Sequence, residues 1–123
     1  MAKRILIVDD DASVRTLFHD TLTEEGYEVV VAPDGEQGLK FIQEGGYDLI
    51  LLDVMMPKID GIGILSELSC KPAKNKNGKI ILFTSLHDDP AVKDGLSKGA
   101  AGFIVKSDFS PEVLIGKIKE LAG

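Results

Sequence analysis

The chain has 123 residues, 44% hydrophobic and 28% charged, with 20 acidic against 14 basic side chains and a net charge of −6. That length fits one domain, residues 1–123, able to bury roughly two thirds of its unfolded surface, and the composition excludes disorder and fibre. The acidic balance argues against a nucleic-acid surface, no apolar run approaches the ~20 residues of a membrane span, the first apolar run is too short for a signal peptide, and the single Cys70 fits a reducing cytoplasm.

The first apolar run is Ile5-Leu6-Ile7-Val8, followed at once by Asp9, Asp10 and Asp11. Val14, Leu17, Phe18 and Leu22 then fall on one helical face, with Asp11 or Asp10 as cap and Gly26 as stop. Val29-Val30-Val31 forms a second run, and Pro33-Asp34-Gly35 turns into a helix marked by Leu39 and Ile42 and ended by Gly45-Gly46. The third run, Leu49-Ile50-Leu51-Leu52, ends on Asp53, and a helix from about Gly61 carries Ile62, Leu65 and Leu68. Ser69 to Lys79, rich in Lys and Asn, reads as a solvated loop and the least ordered stretch, a basic docking patch being the lesser reading. Ile80-Ile81-Leu82-Phe83 is followed by Thr84 and Ser85. Asp88, Asp89 and Pro90 open a weak helix with Val92 and Leu96 on its face. Gly95 in its middle costs roughly 0.5–1 kcal/mol relative to Ala, which leaves this helix mobile unless the packing of Val92 and Leu96 holds it. Phe103-Ile104-Val105 precedes Lys106, and Leu114, Ile118 and Leu121 stripe a last helix with Ser110 as N-cap and Pro111 in its first turn.

Continuous rather than alternating apolar runs indicate strands covered on both faces. Five such runs alternating with five helical segments predict a three-layer α/β domain with a parallel sheet. In an open sheet of this kind ligands bind at the carboxyl ends of the strands. Asp9 and Asp10, Asp53, Thr84 and Lys106 all follow runs, so four of the five strands deliver a reactive side chain to one edge. Clustered carboxylates repel one another, and a hard divalent cation relieves this. An all-oxygen set favours Mg²⁺ over Zn²⁺, which wants His or Cys. His19 and Cys70 are not placed to ligate, and His87 reads as a loop residue. Cation, ammonium and hydroxyl around one carboxylate describe phosphoryl transfer, with the carboxylate itself able to be the nucleophile. Taken singly, an Asp at a strand end is usually a turn or cap residue, and Asp11 is read that way; the joint pattern carries the argument.

These motifs resemble the receiver domains of two-component response regulators. The resemblance spans essentially the whole chain and rests on Ile5–Asp11, on Leu51–Gly61 with Asp53 and Pro57 inside it, on Phe83-Thr84-Ser85, and on Gly99-Ala100 through Lys106. It implies a flavodoxin-like doubly wound five-stranded parallel sheet, order 2-1-3-4-5, with five helices. It implies Asp53 as phosphoacceptor and Mg²⁺ held by Asp9, Asp10, Asp53 and the backbone carbonyl of Met55. It further implies Lys106 and Thr84 as phosphoryl contacts, and Thr84 and Phe103 as the switch pair. The donor is then a phosphohistidine on a histidine kinase or phosphotransfer protein. The output is a protein partner at the face of the fourth helix, fifth strand and fifth helix, in a cytoplasmic monomer or phosphorylation-dependent dimer that is a switch rather than an enzyme.

Departures from the family pattern shape further expectations. Ser107 stands where the family usually has Pro, so the Lys106–Ser107 peptide is expected trans, a non-proline cis bond costing roughly 3 kcal/mol. Phe103 lacks the hydroxyl of the common Tyr and is expected to favour a buried rotamer. Met55 and Leu86, at the variable positions flanking the phosphoryl group, cannot position water, so a long-lived aspartyl phosphate is expected. A hydrolase of the aspartyl-phosphate type wants a second Asp two residues after the nucleophile, where Met55 stands. A nucleotide or flavin module wants a phosphate-cradling loop after the first strand, where Asp9-Asp10-Asp11 repel phosphate. A degenerate receiver is disfavoured by the complete set Asp9, Asp10, Asp53, Thr84 and Lys106. The domain is expected to act through a partner, unless these residues belong to a longer chain that carries its own output domain.

Overall fold

The computed structural model describes residues 3–56, 59–84, 90–105 and 110–122. Among them strands and helices alternate: β1 (Arg4–Val8), α1 (Ala12–Glu24), β2 (Glu28–Ala32), α2 (Gly35–Glu44), β3 (Leu49–Asp53), α3 (Gly61–Cys70), β4 (Lys79–Thr84), α4 (Pro90–Ser97), β5 (Gly102–Val105) and α5 (Pro111–Ala122). The strands form one parallel sheet in the order β2-β1-β3-β4-β5. Doubly wound topology and strand order are therefore as expected.

Strand parity divides the core. Ile5, Ile7, Leu49, Leu51, Ile81, Phe83 and Ile104 face one side, under Phe18 and Leu22 of α1 and Leu114, Ile115 and Ile118 of α5. Phe18 meets Phe83 edge-on at 5.8 Å between ring centroids. Leu6, Val8, Ile50, Leu52 and Leu82 face the other side, under Ile42 of α2 and Ile64 and Leu65 of α3. The central strand β3 is buried along its whole length, whereas Val29, Val30 and Val31 are only half-buried because β2 lies at the sheet edge. Continuous apolarity thus overstates burial for an edge strand. Leu17 is likewise 41% exposed although it shares the spacing of Phe18 and Leu22.

Asp11 and Ser110 are the caps the sequence indicates, whereas Asp34 and Asp60 cap helices for which it indicates only a start. Asp11 accepts from Ser13 N and Val14 N, Asp34 from Gln37 N, and Asp60 from Gly63 N. Val113 N donates to Ser110 Oγ at 3.4 Å. The Lys- and Asn-rich stretch is solvent-exposed over most of its length, as expected, but Ser69 and Cys70 end α3 and the remaining loop is tied by hydrogen bonds to the end of α2. The last four carbonyls of that helix all find donors: Phe41 O from Gly45 N, Ile42 O from Asn77 Nδ2, Gln43 O from Lys74 N, and Glu44 O from both Asn75 N and Asn75 Nδ2. Asn77 Oδ1 in turn receives Tyr47 N at 3.1 Å.

α4 also departs from its expected account. Val92 and Gly95 are buried while Leu96 is 38% exposed, so Leu96 does not anchor the helix. A Cβ on Gly95 would stand 2.5 Å from Leu82 Cδ1 and 3.0 Å from Ile62 Cδ1. The glycine is there to let the helix close onto β4 and α3. Gly95→Ala is therefore expected to destabilise by about 1 kcal/mol in urea titration, overpacking outweighing the gain in helix propensity.

Candidate functional site

Two central strands and one neighbour bring the acidic and hydroxyl groups together. Asp9 follows β1, Asp53 is the last residue of β3, and Thr84 is the last residue of β4. β1 and β3 are adjacent and in register, Val8 opposite Leu52, and Asp53 lies opposite Phe83. Chain connections leave this edge toward opposite faces, α1 to one side and α2 and α3 to the other, which opens a crevice at the strand ends.

The carboxylates of Asp9, Asp10 and Asp53 each place an oxygen within 4.8 Å of the others. Asp9 is 1% exposed, Asp53 7% and Thr84 2%, while Asp10 is exposed. Two buried acids and an exposed one on a shared point form a site closed toward the core and open toward solvent. Asp9 Oδ1 accepts from Asp11 N at 2.9 Å, and Asp53 Oδ1 from Met55 N at 3.1 Å. Each of these bonds closes a tight local loop and fixes the carboxylate plane. Val54 N donates to Phe83 O at 2.9 Å and Gly61 N to Val54 O at 3.2 Å, so the chain leaving β3 is held to β4 and to the start of α3. Confining three like charges costs free energy that a divalent cation would recover, and the all-oxygen donor set fits Mg²⁺.

Thr84 lies opposite Val105 in the β4–β5 pairing. Lys106 follows Val105 in sequence, but Lys106, Ser107, Leu86 and His87 lie outside the described residues, and with them the expected trans peptide at 106–107. Phe103 corrects an expectation: its side chain is 45% exposed rather than buried. It stands opposite Leu82 on the edge strand β5, while α4 packs over β4 through Gly95. Met55 is exposed beside the site.

One residue of this region escapes motif reading altogether. Arg15, in the first turns of α1, donates from Nη1 to the main-chain carbonyl of Asp9 at 2.8 Å. A basic residue six positions after the first Asp is an unremarkable helix-surface residue in the sequence, and only the bend of the chain at Asp10 brings it back.

Fold and site together define a flavodoxin-like α/β domain with a carboxylate centre at its strand ends. The profile of the family described as response regulator receiver domain matches residues 5–119. The chain belongs to that family, the receiver domains of two-component response regulators. It is 43% identical over 119 residues to the probable transcriptional regulator ycf27 of Cyanophora paradoxa, covering 97% of this chain and 48% of that protein. The chain thus spans about half the length of the curated relatives it matches. Among solved structures it resembles the response regulator protein TrrA from Thermotoga maritima in complex with Mg²⁺-BeF, with a TM-score of 0.73, 38% identity, and 97% and 98% of the two chains covered. It also resembles a CheY-like response regulator receiver domain protein from Methanospirillum hungatei, with a TM-score of 0.83, 32% identity, and 99% and 94% covered.

Proposed function

We propose that this receiver domain, residues 1–123, is a phosphorylation switch in which Asp53 accepts a phosphoryl group from a phosphohistidine of a histidine kinase or histidine phosphotransfer protein. The observation that supports this most is the meeting of the Asp9, Asp10 and Asp53 carboxylates at the carboxyl edge of the sheet in a chain of this family. Mg²⁺ fits that donor set, and the similar TrrA structure is a complex with Mg²⁺-BeF; here Asp9, Asp10, Asp53 and the backbone carbonyl of Met55 would hold the ion. When bound, the ion would neutralise charge developing on the phosphoryl oxygens.

The chain's own groups do the rest. An Asp53 oxygen forms the bond to phosphorus while the phosphorus–nitrogen bond breaks and the departing imidazole keeps the electron pair. Met55 N holds Oδ1 and so orients the carboxylate for attack. Lys106 and Thr84 bond phosphoryl oxygens. Thr84 and Phe103 then change position together and alter the face formed by α4, β5 and α5, where a protein partner is engaged, the domain being a monomer or a phosphorylation-dependent dimer. The exposed ring of Phe103 leaves it able to move inward, and Gly95 couples α4 closely to β4, whose last residue is Thr84. The domain acts as a switch rather than as a turnover enzyme, and a cytoplasmic setting fits its single cysteine. No helix among the described residues is long and apolar enough to cross a membrane.

The reading is tested by incubating the protein with a small acyl phosphate and Mg²⁺, then locating the added phosphoryl group by mass spectrometry. Uptake on the peptide containing Asp53 is expected; no uptake, or uptake elsewhere, rejects it. The lifetime of the modification is a second test. Met55 offers no water-positioning group, so Met55→Asn is expected to shorten the lifetime several-fold in a phosphate-release assay, and an unchanged lifetime would show that this position does not limit hydrolysis.

A further inference from the structure

We propose that Arg15 is a positioning residue for the cation site, acting through the backbone that presents Asp10. This deepens the reading above and rests on it. The three carboxylates are not held alike. Asp9 and Asp53 are buried at the ends of central strands, where packing sets their course. Asp10 is exposed and lies between β1 and α1, so its place depends on the backbone that carries it.

That backbone is tied down at Asp9 by three separate hydrogen bonds. Asp9 N donates to Ala32 O at 3.2 Å, Asp9 Oδ1 accepts from Asp11 N at 2.9 Å, and Asp9 O accepts from Arg15 Nη1 at 2.8 Å. The last of these acts on the peptide that leads into Asp10. The carbonyl of Asp9 and the N–H of Asp10 belong to one rigid peptide plane, so fixing the carbonyl fixes the direction in which the chain enters Asp10. The anchor is itself firm, because Arg15 N donates to Asp11 O at 3.1 Å and Asp11 caps the helix that carries Arg15. Sheet, loop and helix therefore form a closed ring with the Asp10 carboxylate on its outer side.

Charge alone predicts the opposite sign. A guanidinium near three carboxylates repels an arriving cation, so its removal would tighten Mg²⁺ binding. Positioning predicts weaker binding, since removing groups that orient metal ligands typically costs affinity roughly tenfold or more.

The experiment is an Mg²⁺ titration with magnesium chloride alone, followed by backbone NMR, on wild type, Asp10→Asn, Arg15→Met and Arg15→Lys. The Asp9 carbonyl carbon shift, read through the Asp10 amide, reports the hydrogen bond directly. Arg15→Met is expected to shift that carbon and to weaken Mg²⁺ about tenfold, and Arg15→Lys, which keeps an N–H donor, to restore most of both. Equal or tighter binding by Arg15→Met overturns the proposal, as does a lysine variant that regains the carbonyl shift without regaining affinity. If wild type shows no Mg²⁺-dependent shifts at residues 9, 10 and 53, or Asp10→Asn binds as well as wild type, it is the cation-site reading that fails.

Discussion

Asp53→Ala is expected to abolish phosphoryl uptake from an acyl phosphate while leaving the domain folded. The carboxylate at position 53 is the proposed nucleophile, and among the described residues neither of the acids beside it is set to replace it. Asp9 Oδ1 is engaged by Asp11 N, and Asp10 is exposed in the β1–α1 loop. Removing a nucleophile leaves no covalent route, so the loss should be complete within the detection limit of intact-protein mass spectrometry rather than a reduction. Stability should move little. The substitution leaves Met55 N without the acceptor it uses at 3.1 Å, a cost of about 1 kcal/mol, and relieves like-charge repulsion in the cluster, a gain of similar size. A urea midpoint close to wild type together with no uptake is the expected pair of results. Residual uptake on another residue would show that the acidic centre is not built around Asp53.

Gly45→Ala is expected to produce the reverse pattern, a large loss of stability with chemistry retained. Gly45 ends α2 at φ 79° and ψ −172°, a region that side-chain-bearing residues essentially do not occupy. A Cβ there would also lie 1.9 Å from the main-chain oxygen of Asn75. Neither problem can be relieved by turning a flexible side chain, because backbone causes both. Backbone strain of 1–3 kcal/mol plus displacement of the capping loop gives an expected loss of about 3 kcal/mol or more. That is a large share of the 5–15 kcal/mol typical of a domain, and corresponds to roughly 10 °C or more in Tm. Urea and thermal unfolding would show it; a shift below about 1 kcal/mol would mean that the loop at Asn75 yields freely. Phosphoryl uptake measured well below the new Tm should persist, because α2 supplies no group to the acidic centre.

Those two substitutions mark two different kinds of legibility. Asp53 stands out in the sequence because it terminates a continuous apolar run and sits among other polar strand-end residues. The same logic of period and punctuation locates all ten secondary-structure elements, and Asp11 and Ser110 as helix caps. Gly45 reads only as a helix stop, and Asn75 and Asn77 read as solvated loop. Their task is to satisfy the carbonyls of a helix some thirty residues earlier in the chain, and no local pattern encodes a partner at that separation. Gly95 is a similar case: by propensity alone it weakens α4, whereas its missing side chain is what lets α4 reach Leu82. Leu17, Leu96 and Phe103 have core spacing or core chemistry yet remain exposed, because an apolar residue is buried only if another element arrives to cover it.

The fold class, the strand-end placement of Asp9, Asp53 and Thr84, and the family were all readable from the chain by itself. Each depends on short-range information: run length, side-chain type, and the rule that parallel strands end on one common edge. Tertiary structure alone decided that the three carboxylates share a point within 4.8 Å, that Arg15 returns to the Asp9 carbonyl, and which apolar faces stay open. Those outcomes depend on angstrom-scale packing of segments remote in sequence, where one close backbone approach determines whether a layer covers its neighbour or stops short of it.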